Sequence, residues 1–182
     1  MDYTLDEQEV AVRDLAAQIL SSKATRDRFA ALESDGGWFD DELWKELAAA
    51  GLVGIAVPED QGGSGAGFIE LCLLVQEAAR SAANVFVVEP LVLAALPLSR
   101  LGTAEQQARL LAPFCSGELL LTAGLLTGPP LAAEAGGESW RITGEVRHVP
   151  LADVAARILV EAADEGGRTG LFLVDPQAAG AS

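Results

Sequence analysis

A glycine-rich segment precedes an apolar helical pattern, and it can bind a ligand through backbone groups alone. Residues 58–67 read Pro-Glu-Asp-Gln-Gly-Gly-Ser-Gly-Ala-Gly. Free N–H groups at the start of a helix can hold a phosphate. The segment lacks the Gly-Lys-Ser/Thr ending of a Walker loop and the GxGxxG spacing of a dinucleotide-binding turn. A tight turn packed on neighbouring helices is therefore the favoured interpretation, and phosphate binding is the alternative.

Two polar residues lie in segments that can contact a ligand further along the chain. Thr127 lies at the end of the apolar run 119–126, where a strand end exposes backbone groups and one hydroxyl to the polar edge of a heterocycle. His148 is the only histidine, and an imidazole side chain can serve in acid–base chemistry. A plain turn is the alternative for Thr127. For His148, which has no visible partner, a structural or exposed position is favoured.

The remaining reactive side chains favour structural roles. Glu77 lies in an otherwise apolar helical pattern, and a buried carboxylate needs a partner, so we expect an arginine beside it rather than a catalytic role. Cys72 and Cys115 stand far apart in apolar stretches and are predicted to be reduced, buried thiols. With one histidine and no Cys or His cluster, no metal site is expected.

The charge balance disfavours several classes of partner. The formal net charge is −15. A nucleic-acid backbone demands basic contacts, so no nucleic-acid partner is expected, and the acidity also disfavours anionic membrane surfaces. Residues 85–98 are apolar but too short to span a membrane, and Glu89 and two prolines interrupt them. The N-terminus lacks the pattern of a signal peptide, so we expect a soluble, cytoplasmic protein with no membrane partner.

The elements that must position these groups are helices up to about residue 114. Thr4 and Glu7 have the spacing of a capping box, as do Thr103 and Gln106. Asp40 is predicted to cap a further helix. Residues 68–81 and 91–98 are apolar around most of the helical circumference, which predicts deeply buried helices. The predicted apolar faces of the other helices are Val12, Leu15, Ala16 and Ile19, then Leu43, Trp44, Leu47 and Ala48, then Leu110, Leu111 and Phe114.

The pattern changes near Gly117. Four short apolar runs, at 119–126, 140–149, 157–163 and 170–175, are bounded by Gly, Asp and Pro and predict strands with hairpin-like links. The fold class is therefore α+β. We expect an all-α helical domain over residues 1–116, followed by a small antiparallel β-domain over residues 117–182.

Together these segments resemble the acyl-CoA dehydrogenase family over nearly the whole chain. Residues 51–65, Gly-Leu-Val-Gly-Ile-Ala-Val-Pro-Glu-Asp-Gln-Gly-Gly-Ser-Gly, are similar to the family's signature around its glycine loop. The sequence Glu-Ala-Ala-Arg at 77–80 stands where the family has Glu-Glu-Leu-Ala. Residues 102–107 and 111–118 are similar to the end of the family's helical domain. The resemblance depends on the order and spacing of all these pieces, since no single one is specific.

The resemblance implies a helical domain, a middle β-domain that is incomplete here, and a C-terminal four-helix bundle that is absent here. It implies α,β-dehydrogenation of an acyl-CoA thioester with FAD as hydride acceptor, and an electron-accepting flavoprotein as a partner. In the family the catalytic base comes from the bundle, so no residue of this chain is assigned as catalytic. An oligomer is also implied, either of this chain or with a related acyl-CoA dehydrogenase subunit.

Two flavin-contacting stretches of the family fall on this sequence, and both depart from the pattern. Leu126 and Thr127 are implied to contact the pyrimidine edge of the flavin, although the tyrosine, the glutamate and the Gly-Ser pair that accompany them in the family are missing. His148, Val149 and Pro150 fall on the Trp-Ile-Thr that covers the flavin ring and hydrogen-bonds N5. Proline has no N–H and no hydroxyl, so the usual N5 contact is lost, while His148 can still stack on the ring.

The resemblance also implies residues that bind the acyl tail, which in the family lies against buried helices of the N-terminal domain. Leu91, Val92, Ala95 and Leu96 are the expected lining residues, and Ala133 is a further expected substrate contact. Plain core packing is the alternative for each helical residue.

Two functional hypotheses follow. The first is an FAD-dependent acyl-CoA dehydrogenase seen without its C-terminal bundle, which Thr127 and the glycine loop favour. The second is a non-catalytic partner subunit or structural homologue with an eroded flavin site, which Gly128, Ala132, Ala133 and Pro150 favour. A different flavin reaction on the same scaffold is a further alternative, and a binding module without flavin ranks last.

Overall fold

The computed structural model describes residues 4–125, 128, 130–137 and 139–181. Its first part is helical and its second part is a five-stranded sheet, which confirms the predicted α+β class. The helices are α1 (Glu7–Lys23), α2 (Arg26–Ser34), α3 (Asp41–Ala49), α4 (Phe68–Ser81), α5 (Leu96–Leu101) and α6 (Ala104–Cys115), with a 3₁₀ turn at Glu59–Gln61 and a π-helical segment, Val88–Ala95, that runs into α5. The strands are β1 (Leu121–Gly124), β2 (Leu131–Gly136), β3 (Ser139–Thr143), β4 (Arg157–Ala163) and β5 (Thr169–Val174).

Side-chain caps fix where α1 and α6 begin. The predicted capping box of Thr103 and Gln106 is confirmed at α6. At α1 the box is formed by Asp6 and Glu9 instead of the predicted Thr4 and Glu7, with both backbone-to-carboxylate distances at 2.8 Å. Both pairs satisfy the spacing rule. The ionised Asp6 is the stronger acceptor and also favours the positive end of the helix dipole.

Asp40 begins α3 as predicted and also ties it to α2. Its carboxylate accepts a hydrogen bond from the Leu43 N–H at 2.9 Å and pairs with Arg28, which also lies 2.7 Å from Glu42. Burial opposes ionisation of Asp40, but the hydrogen bonds from Arg28 and Leu43 outweigh it and hold the Asp40 pKa below its usual range. Asp40 is therefore a charged, buried link between the two helices.

A single hydrophobic core joins the helices to the sheet. Its helical part includes the predicted face of α3, with Trp44 fully buried, and its sheet part includes Leu121 and Ala123 of β1 and Leu159 of β4. The π-helical segment packs directly on β1 and β4. The last helix ends at Cys115 and the first strand begins at Leu121, but this core crosses the interval. The division at 116/117 therefore stays a prediction.

The sheet is mixed, which corrects the expected antiparallel β-domain. The β2–β3 and β4–β5 pairs are antiparallel hairpins, whereas β1 and β2 both run parallel to β4. The long connection from β3 to β4 lets β4 return in the direction of β1, a pairing that apolar runs cannot reveal. The strand β2 was not predicted because Leu-Ala-Ala-Glu-Ala-Gly lacks the β-branched and aromatic residues typical of strands.

A second, smaller core lies on the other face of the sheet. Successive side chains of a strand point to opposite faces, and Leu159 belongs to the first core while Val160 belongs to the second. Trp140 of β3 and Phe172 of β5 meet edge to face, with ring centroids 5.4 Å apart. This ring contact adds a side-chain link between two hairpins that are already neighbours through the β2–β4 pairing.

Several burial predictions need correction. The first turn of α4 is not deeply buried, because Phe68 and Ile69 are more than half exposed, and Cys72 is exposed too. Cys115 is buried as predicted, and burial raises the pKa of its thiol to about 11. Leu15 is 39% exposed, outside the core that its neighbour Ala16 joins. Within the described ranges, no helix is long and apolar enough to cross a membrane.

The Asp40 link can be tested by replacing Asp40 with Asn, which keeps a cap but loses the charge. We expect a loss of about 1.5–3 kcal/mol in the free energy of unfolding at pH 7, because a charged hydrogen-bonded pair is broken. Because the folded pKa is lowered, this contribution is present above the unfolded pKa of about 3.9 and is lost as the pH falls through the folded value. Urea unfolding at several pH values measures it. The control Asp41→Asn removes an exposed charge paired with Lys45 and should cost less than about 1 kcal/mol.

The two thiols should differ in reactivity. In the folded protein at pH 8, we expect a thiol reagent to modify Cys72 rapidly and to leave Cys115 unmodified, since Cys115 is buried and protonated at that pH. A Cys72→Ser variant should then show no fast reaction, and both thiols of the wild-type chain should react in urea. Two fast thiols in the folded protein would contradict the burial of Cys115.

Candidate functional site

Gly124, the last residue of β1, contacts the segment that carries the second predicted flavin-contacting stretch. A Cβ atom built on Gly124 would lie 2.6 Å from Val146 Cγ1 and 3.0 Å from Val149 Cγ2. The segment 144–150 therefore rests directly on the backbone of Gly124. Leu126 and Thr127 follow two and three residues later in the chain, and they lie outside the described residues.

A hydrogen bond holds the same segment from the other end. The Thr122 hydroxyl, which is fully buried in β1, donates to the Pro150 carbonyl oxygen at 2.8 Å. His148 and Leu151 both have a positive φ, +58° and +59°, a conformation that costs non-glycine residues energy unless the surroundings enforce it. The contacts at Thr122 and Gly124 supply that enforcement.

The three residues of the second stretch differ in what they offer a planar ring. Val149 is half-buried and provides an apolar wall, whereas His148 is exposed. Pro150 has no N–H, and its carbonyl oxygen already accepts the bond from Thr122. Val149 therefore offers an apolar surface to a planar ring such as a flavin, whereas Pro150 offers no donor for N5.

Along one side of β4, the strand pairing is interrupted next to Gly124. Gly124 of β1 pairs with Val160, and Leu131 of β2 pairs with Ala162, so only Glu161 separates the two parallel pairings. The strands β1 and β2 thus lie end to end along β4. The chain that connects the two strands contains the first predicted flavin-contacting stretch, whose residues Leu126 and Thr127 lie outside the described ranges.

The expected acyl-lining residues do not form one surface. Leu91 and Ala95 are buried in the main core, and Ala133 lies in the second core on the opposite face of the sheet. Val92 and Leu96 are only partly buried and line a groove on the outside of α5. The structure therefore brings two of the five predicted residues together, and their binding role stays a prediction.

This groove, called the α5 groove below, lies between the first turn of α4, α5 and the start of β5. It consists of two adjoining cavities of ≈ 610 Å³ and ≈ 400 Å³ that share Leu101 and Leu171. The larger cavity is lined by Phe68, Val92, Leu96, Pro97, Arg100, Leu101 and Leu171, and the smaller one by Leu101, Glu161, Thr169, Gly170 and Leu171. Its walls are apolar apart from two charged side chains and one threonine.

The glycine-rich segment serves packing, as the favoured interpretation expected. A Cβ on Gly54 would lie 2.7 Å from Cys115 Sγ, and one on Gly62, whose φ is +91°, would lie 2.9 Å from Ala112 Cα. A Cβ on Gly63 would lie only 2.0 Å from the Val57 carbonyl oxygen. These glycines let the turn fold on itself and lie against α6, and this close packing explains them without a phosphate.

The buried carboxylates have structural surroundings. Glu77 is 5% exposed and accepts a hydrogen bond from Arg80 Nε at 3.2 Å, which confirms the predicted arginine partner. Glu70 is also buried, in the first turn of α4, where the helix dipole favours a negative charge. In the part of the chain that the structure describes, no three His, Cys, Asp or Glu residues are placed to hold a metal ion.

Sequence reasoning missed three residues that matter for this site. Gly124 and Thr122 lie in a plain apolar run and gave no signal, since their partners lie more than twenty residues away. Arg100 was missed because it follows the apolar stretch. Its position four residues after Leu96 would have placed both on one helical face.

Comparison with known proteins gives a consistent result. Residues 6–118 match the family described as acyl-CoA dehydrogenase, N-terminal domain. The acyl-CoA dehydrogenase FadE27 of Mycobacterium tuberculosis is 32% identical over 177 residues, which are 96% of this chain and 47% of that protein. The chain spans about half the length of the curated relatives it matches.

Two solved structures extend the similarity to the sheet. A variant of the Tcur3481-Tcur3483 steroid ACAD superimposes with a TM-score of 0.89 at 40% identity, covering 97% of this chain and 50% of that one. The ChsE4-ChsE5 complex from Mycobacterium tuberculosis also gives a TM-score of 0.89, at 32% identity, covering 99% of this chain and 50% of that one. The similarity thus includes both the helices and the strands described above.

The contact at Gly124 predicts a specific mutational result. Gly124→Ala should destabilise the protein by about 1–3 kcal/mol, because the new methyl group overpacks against Val146 and Val149. Adding Val146→Ala should relieve part of this overpacking. The double variant should therefore lose less free energy of unfolding than the two single variants lose in sum. Urea unfolding measures all three variants. The control Gly37→Ala meets nothing closer than 3.7 Å and should change stability little, and a neutral Gly124→Ala would contradict the contact.

Proposed function

The chain belongs to the acyl-CoA dehydrogenase family, and from this premise we propose that it forms one wall of a flavin and acyl-CoA site in an enzyme that dehydrogenates the α,β bond of an acyl-CoA thioester. One observation carries the proposal. The segment that contains one flavin-contacting stretch lies on Gly124, which leads directly into the other stretch.

The roles of individual residues follow from this arrangement and from the family resemblance. FAD, when bound, supplies the acceptor for the hydride that leaves the substrate. Val149 provides an apolar wall and His148 a ring that can stack on the isoalloxazine. Leu126 and Thr127 are proposed to contact the pyrimidine edge. No residue of this chain is proposed as the base.

The acyl part of the substrate is proposed to lie on the helical side of the site. Val92 and Leu96 are the candidates for contact with it, because they are only partly buried and line the α5 groove. Leu91 and Ala95 are proposed to have an indirect role, because they lie in the main core and hold the π-helical segment against the sheet. Ala133 is proposed to support the sheet from the second core, on its other face. In this proposal only the first two touch the acyl chain.

The partners are proposed from the same family membership. The names of both solved relatives, Tcur3481-Tcur3483 and ChsE4-ChsE5, each join two proteins, so we propose that this chain also works beside a related acyl-CoA dehydrogenase subunit or a second copy of itself. An electron-accepting flavoprotein is the proposed oxidant of the reduced cofactor. The acidic surface is consistent with protein partners that present basic residues.

A second candidate function rests on Pro150. This residue offers no donor for flavin N5, and its carbonyl group is occupied by Thr122. A chain with this feature suits a non-catalytic partner subunit, which would keep the scaffold and support the site of another chain. The two candidates differ in whether this chain itself retains FAD.

The test is retention of FAD by the complex that forms when the chain is expressed with its neighbouring reading frames. The first candidate predicts a yellow complex whose flavin absorbance is bleached by an acyl-CoA. A colourless complex would support the partner-subunit function instead. Thr127→Ala should lower the ratio of FAD to protein after desalting, whereas the control Thr169→Ala, in β5, should not.

Pro150→Thr gives a second measurement because it returns an N–H and a hydroxyl to the position that faces N5 in the family. We expect this variant to retain more FAD than the wild-type chain if the segment 144–150 lies against the flavin. The isolated 182-residue chain should not turn over an acyl-CoA, since no base is proposed within it. Dehydrogenation by the isolated chain would contradict that assignment.

A further inference from the structure

Thr122 is a polar residue in the middle of an apolar strand. Its side chain has 0% exposure to solvent, whereas the other buried polar residues that the structure describes are between 2% and 8% exposed. A buried hydroxyl destabilises a fold unless it finds a hydrogen-bond partner, and a valine of similar shape would fill this place without that requirement. The partner of the Thr122 hydroxyl is the carbonyl oxygen of Pro150, 28 residues away in the chain. Packing within β1 alone therefore does not account for a threonine at this position.

The segment 144–150 crosses one face of β1. Leu121 and Ala123 belong to the main core, on the helical side of the sheet. Because side chains alternate along a strand, Thr122 and Gly124 lie on the opposite face. Both of these residues contact the segment there, Gly124 through the space that its missing side chain leaves and Thr122 through its hydrogen bond. Two neighbouring positions on one face of β1 thus hold the same segment.

A third contact joins β1 to the chain that follows this segment. The carbonyl oxygen of Leu120 accepts a hydrogen bond from the Ala156 N–H at 2.8 Å. The two residues with positive φ, His148 and Leu151, lie before this contact along the chain. Such a conformation persists in non-glycine residues only where the surrounding contacts enforce it. The hydrogen bond from Thr122 acts between these two residues, at the point where enforcement is required.

We propose that Thr122 is a positioning residue for the second flavin-contacting stretch, residues 148–150. It acts through the carbonyl group of Pro150 and touches no ligand itself. Because the proline ring fixes φ at residue 150, holding its carbonyl also restricts the peptide unit that joins it to Val149. The identity of the ring that lies against this stretch rests on the proposed function, whereas the fixing of the stretch by Thr122 does not.

The hydrogen bond specifies what packing cannot. The contacts of Val146 and Val149 with the backbone of Gly124 are apolar, and apolar contacts have no preferred direction. A hydrogen bond from a hydroxyl to a carbonyl oxygen is directional, and the observed 2.8 Å is an ordinary length for such a bond. Packing therefore keeps the segment on β1, while Thr122 selects the rotation of its backbone.

Limited proteolysis of the full chain tests this role at Arg147, where trypsin cleaves before His148. A protease binds an extended chain, so the positive φ at His148 must be released before cleavage, and the rate reports how often the segment opens. Thr122→Val removes the hydroxyl and keeps the size of the side chain. It should speed cleavage after Arg147 by about 10-fold, as expected for the loss of one buried hydrogen bond, while cleavage after Arg168 should keep its rate.

Two further variants separate positioning from general stability. Thr122→Ser keeps the hydroxyl and should stay within about 2-fold of the wild-type rate. Thr103→Val is the matched control, because it also removes a hydrogen-bonding threonine hydroxyl, at the cap of α6, and it should leave cleavage after Arg147 unchanged. Circular dichroism checks folding, and Thr122→Ala carries the same expectation if Thr122→Val does not fold. Equal rates for the wild type and Thr122→Val, or an equal increase in Thr103→Val, would overturn the proposal.

FAD binding by the co-expressed complex gives a readout that a purely structural role does not change. Thr122→Val should weaken FAD binding by about 10-fold, and Thr122→Ser should keep the wild-type affinity. Faster cleavage after Arg147 with an unchanged FAD affinity would contradict the positioning role. A wild-type complex without FAD would contradict only the first candidate function, because the cleavage rates would still decide whether Thr122 fixes the segment.

Discussion

The absence of a side chain at Gly124 is the constraint on which the arrangement of the site depends. Because this position has no Cβ, Val146 and Val149 can rest on the backbone at the end of β1. The hydroxyl of Thr122, two residues earlier, holds the carbonyl of Pro150 in the same place. The segment 144–150 is thereby fixed in a conformation with positive φ at His148 that it would not adopt alone. The helices contribute by burying β1 from the other side.

In the segment 144–150, the packing contacts and the hydrogen-bonding groups have different outcomes. Val146 and Val149 pack on the end of β1, but Pro150 cannot donate the hydrogen bond that the family makes at the matching position. A fold can be kept by packing while a site loses one of its polar groups, because the two depend on different atoms. The glycine-rich segment shows the same principle, since its close contacts with α6 and with its own carbonyl group explain its glycines without a phosphate.

Local sequence signals were reliable where the partners lie within one turn of helix. The caps at Asp40 and Thr103 and an arginine partner for Glu77 were all predicted and are all present. These signals failed at α1, where two neighbouring residue pairs, Thr4 with Glu7 and Asp6 with Glu9, both have the spacing of a capping box. They also failed where composition is unusual for an element, as in β2. In each such case the deciding contact lies outside the segment.

The sequence by itself indicated the α+β class, the caps at Asp40 and Thr103 and the acidic charge balance, because periodicity, capping and charge are properties of neighbouring residues. The order and spacing of its motifs indicated the family. Only the tertiary structure decided that β1 and β2 run parallel to β4, that Gly124 receives the segment 144–150, and which of the predicted acyl residues face the core. Those outcomes depend on contacts between residues far apart in the chain. A helical period shows that one face is apolar, but only the neighbours packed on that helix decide which apolar residues remain at the surface.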